Sequence, residues 1–441
     1  MTVIGGGYVG LVSGCFYAKA GHDATIVEVD SRRRAQIADG ELPFYEPGLR
    51  SILRNVLSSG KLSVSDDVCA AVRRTEITFL TVGTPSRRDG SINLAQVRKA
   101  SREIGNGLRR PHGYHYVIVR STVVPGTTLR VVKPILEKHS GGRVGRSFGL
   151  AMQPEFLREG SAWEDMESPD KIVIGAVDDR TRDFLVGFHK RLHKRHAPPI
   201  VTMNASTAEM VKYANNSFLA CKISFINEIA NICQLIASVD VMHVADAIGL
   251  DKRIGRSFLD AGLGFGGSCF PKDLRALMRE SRRLGYSPSV LKATLEVNDR
   301  QPLIAVEMVR TSLRALKGKR IGVLGCSFKP GTDDMRGARS IILVNRLLKL
   351  GAHIVVYDPK AMENARKVFG TRVEYADSVE ECLAGADAAI TVTEWDEFKQ
   401  LTPPDFGRMK RQLVVDGRRI YRPSEFLGKI EFKALGLGPL A

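Results

Sequence analysis

Residues 262–273 read GLGFGGSCFPKD and combine glycines, a cysteine and two charged side chains in a short stretch. A thiolate is the reactive form of cysteine, and a nearby cation or a helix N-terminus stabilises it. Cys269, with Lys272 and Asp273 beside it, is therefore a candidate covalent nucleophile. Taken alone, the stretch fits better a glycine-rich turn around a buried thiol, because free cysteines usually behave as small hydrophobic residues.

A second glycine-rich stretch, GGGYVG at 5–10, lies between a short apolar strand pattern and a helical pattern. This GxGxxG spacing allows a tight turn and close approach of the backbone to a pyrophosphate at a helix N-terminus. Glu28 follows the last glycine by 18 residues, where a carboxylate would bind the adenosine ribose and repel a 2′-phosphate. The stretch predicts binding of NAD rather than NADP, although Arg32–Arg34 could hold that phosphate. A glycine-rich turn without a nucleotide is the alternative.

Polar residues follow several of the predicted strands. Thr84 and Thr122 end apolar strand patterns, where open α/β sheets bind ligands, but each hydroxyl could equally cap a loop or a helix. Glu155 and Glu159 would share a face if their segment is helical. Two carboxylates at one place could serve acid–base chemistry, and a solvated helix face is the alternative.

A long helix is predicted from Ser206 to about Ser238, and STAE at 206–209 has the form of a capping box. Lys212 and Asn216 lie one turn apart and could point together into a cleft, although taken alone they fit surface positions better. Apolar residues recur along another face of this helix: Met210, Ala214, Phe218, Cys221, Phe225, Ile229, Ile232 and Ile236. A helix of this length could join two domains.

A second α/β pattern begins at Arg320 and lacks a GxGxxG stretch. We therefore expect it to bind something other than a dinucleotide. Lys329 and Arg418 follow two of its predicted strands, and their charges suit a phosphorylated ligand.

The composition limits the class of protein. The 441 residues are enough for two or three domains, and no apolar run reaches the roughly 18 residues of a membrane span. Seven scattered cysteines without a CxxC pair argue against a zinc site or disulfide framework and favour a reducing cytoplasm. The net charge of +17 is dispersed among acidic residues, so an acidic small ligand explains it as well as nucleic acid, the less favoured partner.

Taken together, these segments resemble the UDP-glucose/GDP-mannose dehydrogenase family over nearly the whole chain. The resemblance lies in an ordered series of motifs: GGGYVG at 5–10, FYEPGL at 44–49, VGTP at 82–85, RSTVVPGT at 120–127, PEFLREG at 154–160, EMVKYANNSFLACKISFINE at 209–228, GFGGSCFPKD at 264–273, FKPGTDDMR at 328–336 and VDGR at 415–418. It implies an α/β fold with two Rossmann-like doubly wound domains, joined by a long central helix and a helical dimerisation region. The expected boundaries are 1–200 for the NAD-binding domain, 201–300 for the central region and 301–441 for the nucleotide-sugar domain.

The resemblance also implies a reaction, in which the C6 alcohol of a nucleotide sugar becomes a carboxylate and two NAD are reduced. Cys269 would attack the aldehyde-level intermediate, and the resulting thiohemiacetal would be oxidised to a thioester and hydrolysed. Lys212 and Asn216 would stabilise the oxyanion. Asp273 and Glu159, with Thr122, would position and deprotonate water or alcohol.

Further contacts follow from the same resemblance. The expected NAD contacts are Gly5, Gly6, Gly7, Tyr8, Val9, Gly10, Glu28, Arg33, Thr84, Thr122, Glu159 and Arg336. Lys272 is added to them, although it could instead tune the thiol or fix the loop. The expected substrate contacts are Glu155, Phe156, Leu157, Arg158, Lys212, Asn216, Phe258, Asp260, Gly264, Phe265, Gly266, Phe328, Lys329 and Arg418, with Arg253 reaching across from a second subunit of a homodimer.

The chain departs from the family pattern at Glu28, where Asp is common, and after Arg336, where Gly337 and Ala338 replace Glu and Ser. Members that act on N-acetylated sugars tend to carry His before the cysteine, whereas this chain has Ser268. Mannose-type members tend to carry a His-containing segment where this chain reads NSFLA at 216–220. UDP-glucose is therefore the expected substrate, and GDP-mannose is the alternative.

Two other classes remain as competing hypotheses. A 3-hydroxyacid or 6-phosphogluconate type dehydrogenase also joins a Rossmann domain to long helices, but it needs neither a cysteine nor a second α/β unit. A non-catalytic nucleotide-binding or nucleic-acid-binding protein would leave the combination of Cys269, Lys212 and Asp273 unexplained.

Overall fold

The computed structural model describes residues 1–109, 113–194 and 197–439. The chain divides into two compact units. The first comprises Met1–Asn215 and Arg275–Glu280, and the second comprises Asn216–Leu274 and Ser281–Ala441. Each unit contains a mainly or wholly parallel sheet connected through helices, which confirms the predicted α/β class.

Helices and strands alternate through most of the chain. The strands of the described residues are β1 Thr2–Ile4, β2 Ala24–Val27, β3 Leu62–Ser65, β4 Ile77–Leu80, β5 His115–Val119, β6 Phe148–Met152, β7 Ile172–Ala176, β8 Ile200–Met203, β9 Arg320–Leu324, β10 His353–Tyr357, β11 Glu374–Tyr375, β12 Ala388–Thr391, β13 Leu413–Asp416 and β14 Glu431–Ala434. The α-helices of the same residues are α1 Tyr8–Lys19, α2 Ser31–Ala38, α3 Leu49–Ser58, α4 Val68–Arg73, α5 Ala95–Gly107, α6 Lys133–Ser140, α7 Ala162–Glu167, α8 Asp179–Leu192, α9 Ala205–Cys233, α10 Val241–Gly249, α11 Phe270–Arg283, α12 Ser289–Leu313, α13 Arg339–Lys349, α14 Met362–Phe369, α15 Val379–Leu383, α16 Asp396–Lys399 and α17 Pro423–Phe426.

The sheet of the first unit has the strand order β3-β2-β1-β4-β5-β6-β7-β8. Its first six strands are parallel and follow the order of a dinucleotide-binding fold, which creates a ligand crevice where the order reverses beside β1. β7 pairs with β6 in antiparallel fashion, and β8 extends the sheet in parallel with β7. β1, β4, β5 and β6 are buried throughout, as expected for central strands that are covered on both faces.

The sheet of the second unit is parallel throughout, in the order β11-β10-β9-β12-β13-β14. This is the same relative order as the first six strands of the other sheet. Apolar residues of β9, β12 and β13, such as Val323, Ile390 and Val415, are fully buried in its core. Two Rossmann-like sheets are therefore present, as expected.

Helix α9 begins differently from the prediction. The Asn204 side chain accepts the Thr207 N–H at 2.8 Å and caps the helix, so the predicted capping box at 206–209 was wrong. Glu209 is instead buried and accepts the N–H groups of Gly126 and Thr128 at 2.5 and 2.7 Å. Burial raises the pKa of the Glu209 carboxyl, although these hydrogen bonds act in the opposite direction.

The apolar stripe predicted on α9 is largely exposed in the structure. Phe218, Phe225 and Ile232 are 66%, 51% and 50% exposed. The helix is buried instead through residues such as Ile226 and Ala230, which pack with α10. Helical periodicity identified an apolar face, but it could not show which face the rest of the chain covers.

The glycine stretch at 262–267 is tightly packed within the second unit. Gly264 has φ +95°, and a Cβ there would lie 2.4 Å from the Asn298 side-chain oxygen. Gly267 has φ +81°, and its Cβ would lie 2.9 Å from the Phe328 ring. The Asn298 amide also accepts the Phe265 N–H at 2.7 Å and donates to the Phe265 carbonyl at 3.0 Å. These glycines are therefore required by the packing of the chain on itself.

His115 and His189 are among the buried histidines of the first unit. His115 Nε2 lies 2.8 Å from the Thr78 hydroxyl, and His189 Nε2 lies 2.7 Å from the Gln153 side-chain nitrogen. Burial lowers the pKa of His115 to about 4, and burial together with the charge of Arg120 lowers that of His189 to about 3. Both imidazoles are neutral in the folded protein at neutral pH.

We predict that Gly264→Ala destabilises the second unit by about 2–4 kcal/mol, since it adds left-handed strain and overpacking against Asn298. Gly285→Ala is the matched control, because Gly285 has a similar φ of +88° but faces open space. It should cost only about 1 kcal/mol. Thermal unfolding, with hydrogen exchange of the 262–267 amides, measures both variants. Equal destabilisation would contradict the packing argument.

We also predict that the free energy of unfolding falls as the pH drops below about 6.5, because the unfolded chain then protonates histidines that the folded chain keeps neutral. Each contributes up to about 1.4 kcal/mol per pH unit until the pH reaches its folded-state pKa. His115→Gln and His189→Gln should flatten this slope, whereas the change of the exposed His243 to Gln should not. Denaturant unfolding between pH 7 and 4.5 tests this, and an unchanged slope in both buried-site variants would refute it.

Candidate active site

Cys269 directly precedes helix α11. Its carbonyl oxygen accepts the Asp273 N–H at 2.8 Å, so the residue lies at the positive end of the helix dipole. The Ser268 hydroxyl lies 3.6 Å from the Cys269 sulfur, and the cysteine is only partly buried. A helix N-terminus stabilises a thiolate, so these surroundings suit a nucleophile better than an inert core thiol.

The Asp273 carboxylate, one helical turn from Cys269, is buried and binds two other predicted residues of the second unit. Asn216 donates a hydrogen bond to one oxygen at 2.7 Å, and the Lys272 ammonium lies 2.5 Å from the other. Lys272 therefore supplies the counter-charge that a buried carboxylate needs. Its contact with NAD stays a prediction.

Lys212 and Glu155 form a buried ion pair in the first unit. Lys212 Nζ lies 3.2 Å from Glu155 Oε1, with side chains 4% and 7% exposed, so Lys212 is not a surface residue. The other Glu155 oxygen accepts the Leu157 N–H at 2.7 Å, and the ammonium lies 5.4 Å from the centroid of the Phe156 ring. The Glu155 carboxylate therefore holds the Lys212 ammonium in place and also fixes the 155–157 backbone.

The segment that carries Glu155 and Glu159 is not helical, and α7 begins only at Ala162. The two carboxylates therefore do not share a helix face. Gly160 ends the segment with φ +86°, and such a conformation interrupts a helix. Arg158, whose backbone is predicted to lie near the sugar, directs its guanidinium to Asp165 at 2.6 Å.

The glycine loop after β1 fits a dinucleotide. A Cβ on Gly10 would lie 1.8 Å from the Gly5 carbonyl oxygen, whereas a Cβ on Gly7 would meet no atom of the described residues within 4 Å. The buried Glu28 carboxylate accepts the Gly6 N–H at 3.0 Å and lies 3.3 Å from the Arg33 guanidinium. Gly7 therefore leaves open space beside the loop, and an acid stands where a ribose would bind.

Thr84 and Thr122 are neighbours at adjacent strand ends. The Thr84 hydroxyl donates to the Thr122 carbonyl oxygen at 2.8 Å, as the loop-capping interpretation expected. Its oxygen lone pairs can still accept a hydrogen bond from a ligand. Tyr8 and Val9 begin helix α1 directly after the glycines.

Arg418 links several loops of the second unit. Its guanidinium donates to the carbonyl oxygens of Val392 at 2.7 Å and Gly264 at 3.2 Å, and it lies 3.3 Å from the Glu394 carboxylate. The Lys329 ammonium lies 5.8 Å from the centroid of the Phe328 ring. Arg418 is thus joined to the glycine stretch at 264–266 through the Gly264 carbonyl oxygen.

Other predicted contacts in this unit have local partners. Phe258 has a positive φ of +66°, which is strained for an aromatic residue, and Phe265 packs edge-on against Phe270. Three predicted charged residues form ion pairs near them in sequence: Arg253 with Asp251, Asp260 with Arg256, and Arg336 with Asp334.

The second sheet does not repeat the ribose site of the first. Asp358 follows β10 as Glu28 follows β2, but its carboxylate accepts the N–H groups of Cys326 and Ser327 at 2.7 and 3.0 Å. The Trp395 indole also donates to it at 3.1 Å. The Asp358 carboxylate is therefore held by backbone and indole donors of its own unit.

Sequence reasoning missed three residues that hold the site segments: Glu46, Asn227 and Asn298. Asn227 accepts the Gly262 N–H at 2.8 Å, and Glu46 accepts those of Gly160 and Ala162. Glu46 lies within FYEPGL, a motif of the resemblance that had received no role. Asn298 carried no signal, because its contact to Phe265 joins residues far apart in the chain.

The predicted site residues form two groups, one in each unit. The first unit holds Gly5–Gly10, Glu28, Arg33, Thr84, Thr122, Glu155–Glu159 and Lys212, and the second holds Asn216, Arg253, Phe258, Asp260, Gly264–Gly266, Cys269, Lys272, Asp273, Phe328, Lys329, Arg336 and Arg418. Within residues 1–109, 113–194 and 197–439, no group of three or more His, Cys, Asp or Glu residues could hold a metal ion. In the same ranges no helix is long and apolar enough to span a membrane.

Comparisons with known proteins agree with this geometry. Three models of the UDP-glucose/GDP-mannose dehydrogenase family match the chain: the NAD binding domain at residues 1–193, the central domain at 206–300 and the UDP binding domain at 322–423. The chain is 46% identical to a UDP-glucose 6-dehydrogenase of Haloferax volcanii, over 97% of this chain and 98% of that protein. It is 41% identical to a UDP-glucose 6-dehydrogenase of Rhizobium meliloti, over 99% of each chain.

A solved structure gives the same result for the fold. The UDP-glucose dehydrogenase of the hyperthermophilic archaeon Pyrobaculum islandicum matches with a TM-score of 0.91 and 41% identity, over 99% of this chain and 97% of that one. The match of the NAD binding domain confirms the predicted cofactor. The chain therefore belongs to the UDP-glucose/GDP-mannose dehydrogenase family.

Proposed function

We propose that this chain oxidises UDP-glucose to UDP-glucuronate and reduces two NAD for each sugar. The observation that carries the proposal is Cys269 at the N-terminus of α11, one turn from a buried Asp273 that binds Asn216 and Lys272. Relatives named UDP-glucose 6-dehydrogenases support the choice of sugar. NAD, when bound, accepts a hydride in each oxidation.

The first oxidation removes a hydride and a proton from the C6 alcohol, and Asp273 and Glu159, with Thr122, position the alcohol and take its proton. The Cys269 thiolate then forms a C–S bond with the aldehyde carbon. Lys212 and Asn216 stabilise the oxyanion of this thiohemiacetal by charge and hydrogen bonding. Loss of a second hydride gives a thioester. Water adds to it, the C–S bond breaks, and the carboxylate and the thiol are released.

Each of the three predicted domains has its own part in the reaction. Residues 1–200 bind NAD through the glycine loop and Glu28, and residues 201–300 provide the cysteine loop and the dimer contact. Residues 301–441 bind the nucleotide part of the substrate, where Lys329 and Arg418 supply positive charge. The scattered cysteines support a cytoplasmic location.

We predict a yield of two NADH for each UDP-glucose when the sugar is limiting and NAD is in excess. The ratio follows from a four-electron oxidation and is read from the NADH absorbance at the end point. A ratio of one would indicate a simple alcohol dehydrogenase and refute the proposal. Turnover with GDP-mannose instead of UDP-glucose would favour the alternative substrate.

Two cysteine variants complete this experiment. Cys269→Ala should lower the rate of acid formation by about 10³-fold or more while NAD binding, measured by calorimetry, is retained. Cys69→Ala is the matched control, because Cys69 is also a partly buried thiol but carries no proposed role. Acid formation at the wild-type rate by Cys269→Ala would disprove the covalent mechanism.

We further propose that the protein is a homodimer through the exposed apolar face of α9 and the following residues. Phe218, Phe225 and Ile232 recur every seven residues on this face, and Leu250 is 84% exposed. A row of exposed apolar side chains along one helix is typical of an interaction site. The Arg253 side chain, 88% exposed, lies close to these residues in sequence and would reach the substrate of the second subunit.

Phe225→Glu is predicted to convert the dimer into a monomer, because it places a charge in the apolar interface. The mass measured by light scattering should fall from twice the 48.4 kDa of the chain to that value. Val368→Glu changes an exposed apolar residue of α14 and should leave the mass unchanged. A wild-type protein that is monomeric at micromolar concentration would rule out the dimer.

A further inference from the structure

Glu46 is a buried carboxylate that contacts two segments distant from it in sequence. It is 3% exposed and accepts a hydrogen bond from the Tyr8 hydroxyl. One of its oxygens also accepts the Gly160 N–H at 2.7 Å, and the other accepts the Ala162 N–H at 2.8 Å. All of these residues belong to the first unit.

The two backbone contacts restrain the segment that carries Glu159. The Gly160 N–H belongs to the peptide unit that follows Glu159, so a carboxylate that binds this group fixes the plane of that peptide. The second contact is the hydrogen bond from the Ala162 N–H, at the start of α7. With both hydrogen bonds in place, the turn cannot rotate about the bond to Gly160. Two charge-assisted hydrogen bonds to one carboxylate therefore set the direction in which the Glu159 side chain leaves the backbone.

The third contact of Glu46, with the Tyr8 hydroxyl, links this carboxylate to the glycine loop at 5–10. Tyr8 lies between Gly7 and Gly10, and its ring packs 4.8 Å from the Phe44 ring. Burial, the hydrogen bond to Glu46 and the charges of Glu46 and Glu159 raise the pKa of Tyr8 well above its ordinary range, so the hydroxyl remains a donor at neutral pH.

We propose that Glu46 is a positioning residue for the oxidation, which orients Glu159 through the backbone of Gly160 and Ala162 and couples it to the cofactor loop through Tyr8. Glu46 touches neither substrate nor cofactor in this role. The inference rests on the proposed function, because it assigns Glu159 to the reaction.

A double-mutant cycle between Glu46→Ala and Glu159→Gln tests this role. Glu46→Ala should lower kcat about 10- to 100-fold, the scale expected when a reacting group is misplaced, with the KM for NAD changed by less than about threefold. In the Glu159→Gln protein, Glu46→Ala should lower kcat by less than about threefold, because the carboxylate that Glu46 positions is already absent. Equal losses of kcat in both proteins would refute a role through Glu159.

Two further variants separate positioning from loss of structure. Glu46→Gln keeps an oxygen that can accept one backbone N–H, so it should retain more kcat than Glu46→Ala. Asp178→Ala is the matched control, because Asp178 also accepts one backbone N–H and one hydroxyl, both from Thr181, and lies outside the proposed site. It should leave kcat within about twofold of the wild type. A similar loss of kcat in Asp178→Ala would show that the effect is merely structural.

Hydrogen exchange provides a readout that does not depend on activity. In the wild type the amides of Gly160 and Ala162 should exchange slowly, and Glu46→Gln or Glu46→Ala should speed their exchange at least about tenfold. Unchanged exchange would refute the proposal even if kcat falls. If the wild type oxidises no nucleotide sugar, the proposed function fails, and the exchange data still show whether Glu46 fixes the turn.

Discussion

The cysteine site depends on the tight packing of the glycine stretch at 262–267, whose glycine positions leave no space for a side chain. The backbone of this stretch lies against Asn298 and Phe328, and two of its glycines adopt positive φ. Because the loop can take only this path, the chain enters α11 at a defined point, and Cys269 lies at the helix N-terminus. The reactivity expected of the thiol therefore follows from a packing requirement some residues away.

Each buried charge of the predicted site has a partner within its own unit. Lys212 pairs with Glu155, Lys272 pairs with Asp273, and Glu28 binds backbone and guanidinium donors. An ionised group without such partners would be costly to bury, so these contacts keep the buried charges in place. Such charges act strongly on a reaction because little solvent screens them and little reorganisation is needed.

The two sheets show how one strand order serves two purposes. Both follow the order of a dinucleotide-binding fold, and both place an acid after the second strand. Glu28 stands beside a loop with open space at Gly7, whereas Asp358 is bound by the backbone of Cys326 and Ser327 and by Trp395. The same strand order therefore carries different loop contacts in the two units.

The α/β class, the glycine loop with Glu28 and the candidate cysteine could be predicted from the sequence, because these features depend on local spacing along strands, turns and helix starts. The fold was needed to show that Glu209 binds the 126–128 backbone instead of capping α9, that the predicted stripe of this helix is largely exposed, and that Glu155 pairs with Lys212. It also revealed Glu46. Each of these facts depends on which distant segments meet, and burial of a side chain is set by those neighbours rather than by its own position in a local pattern.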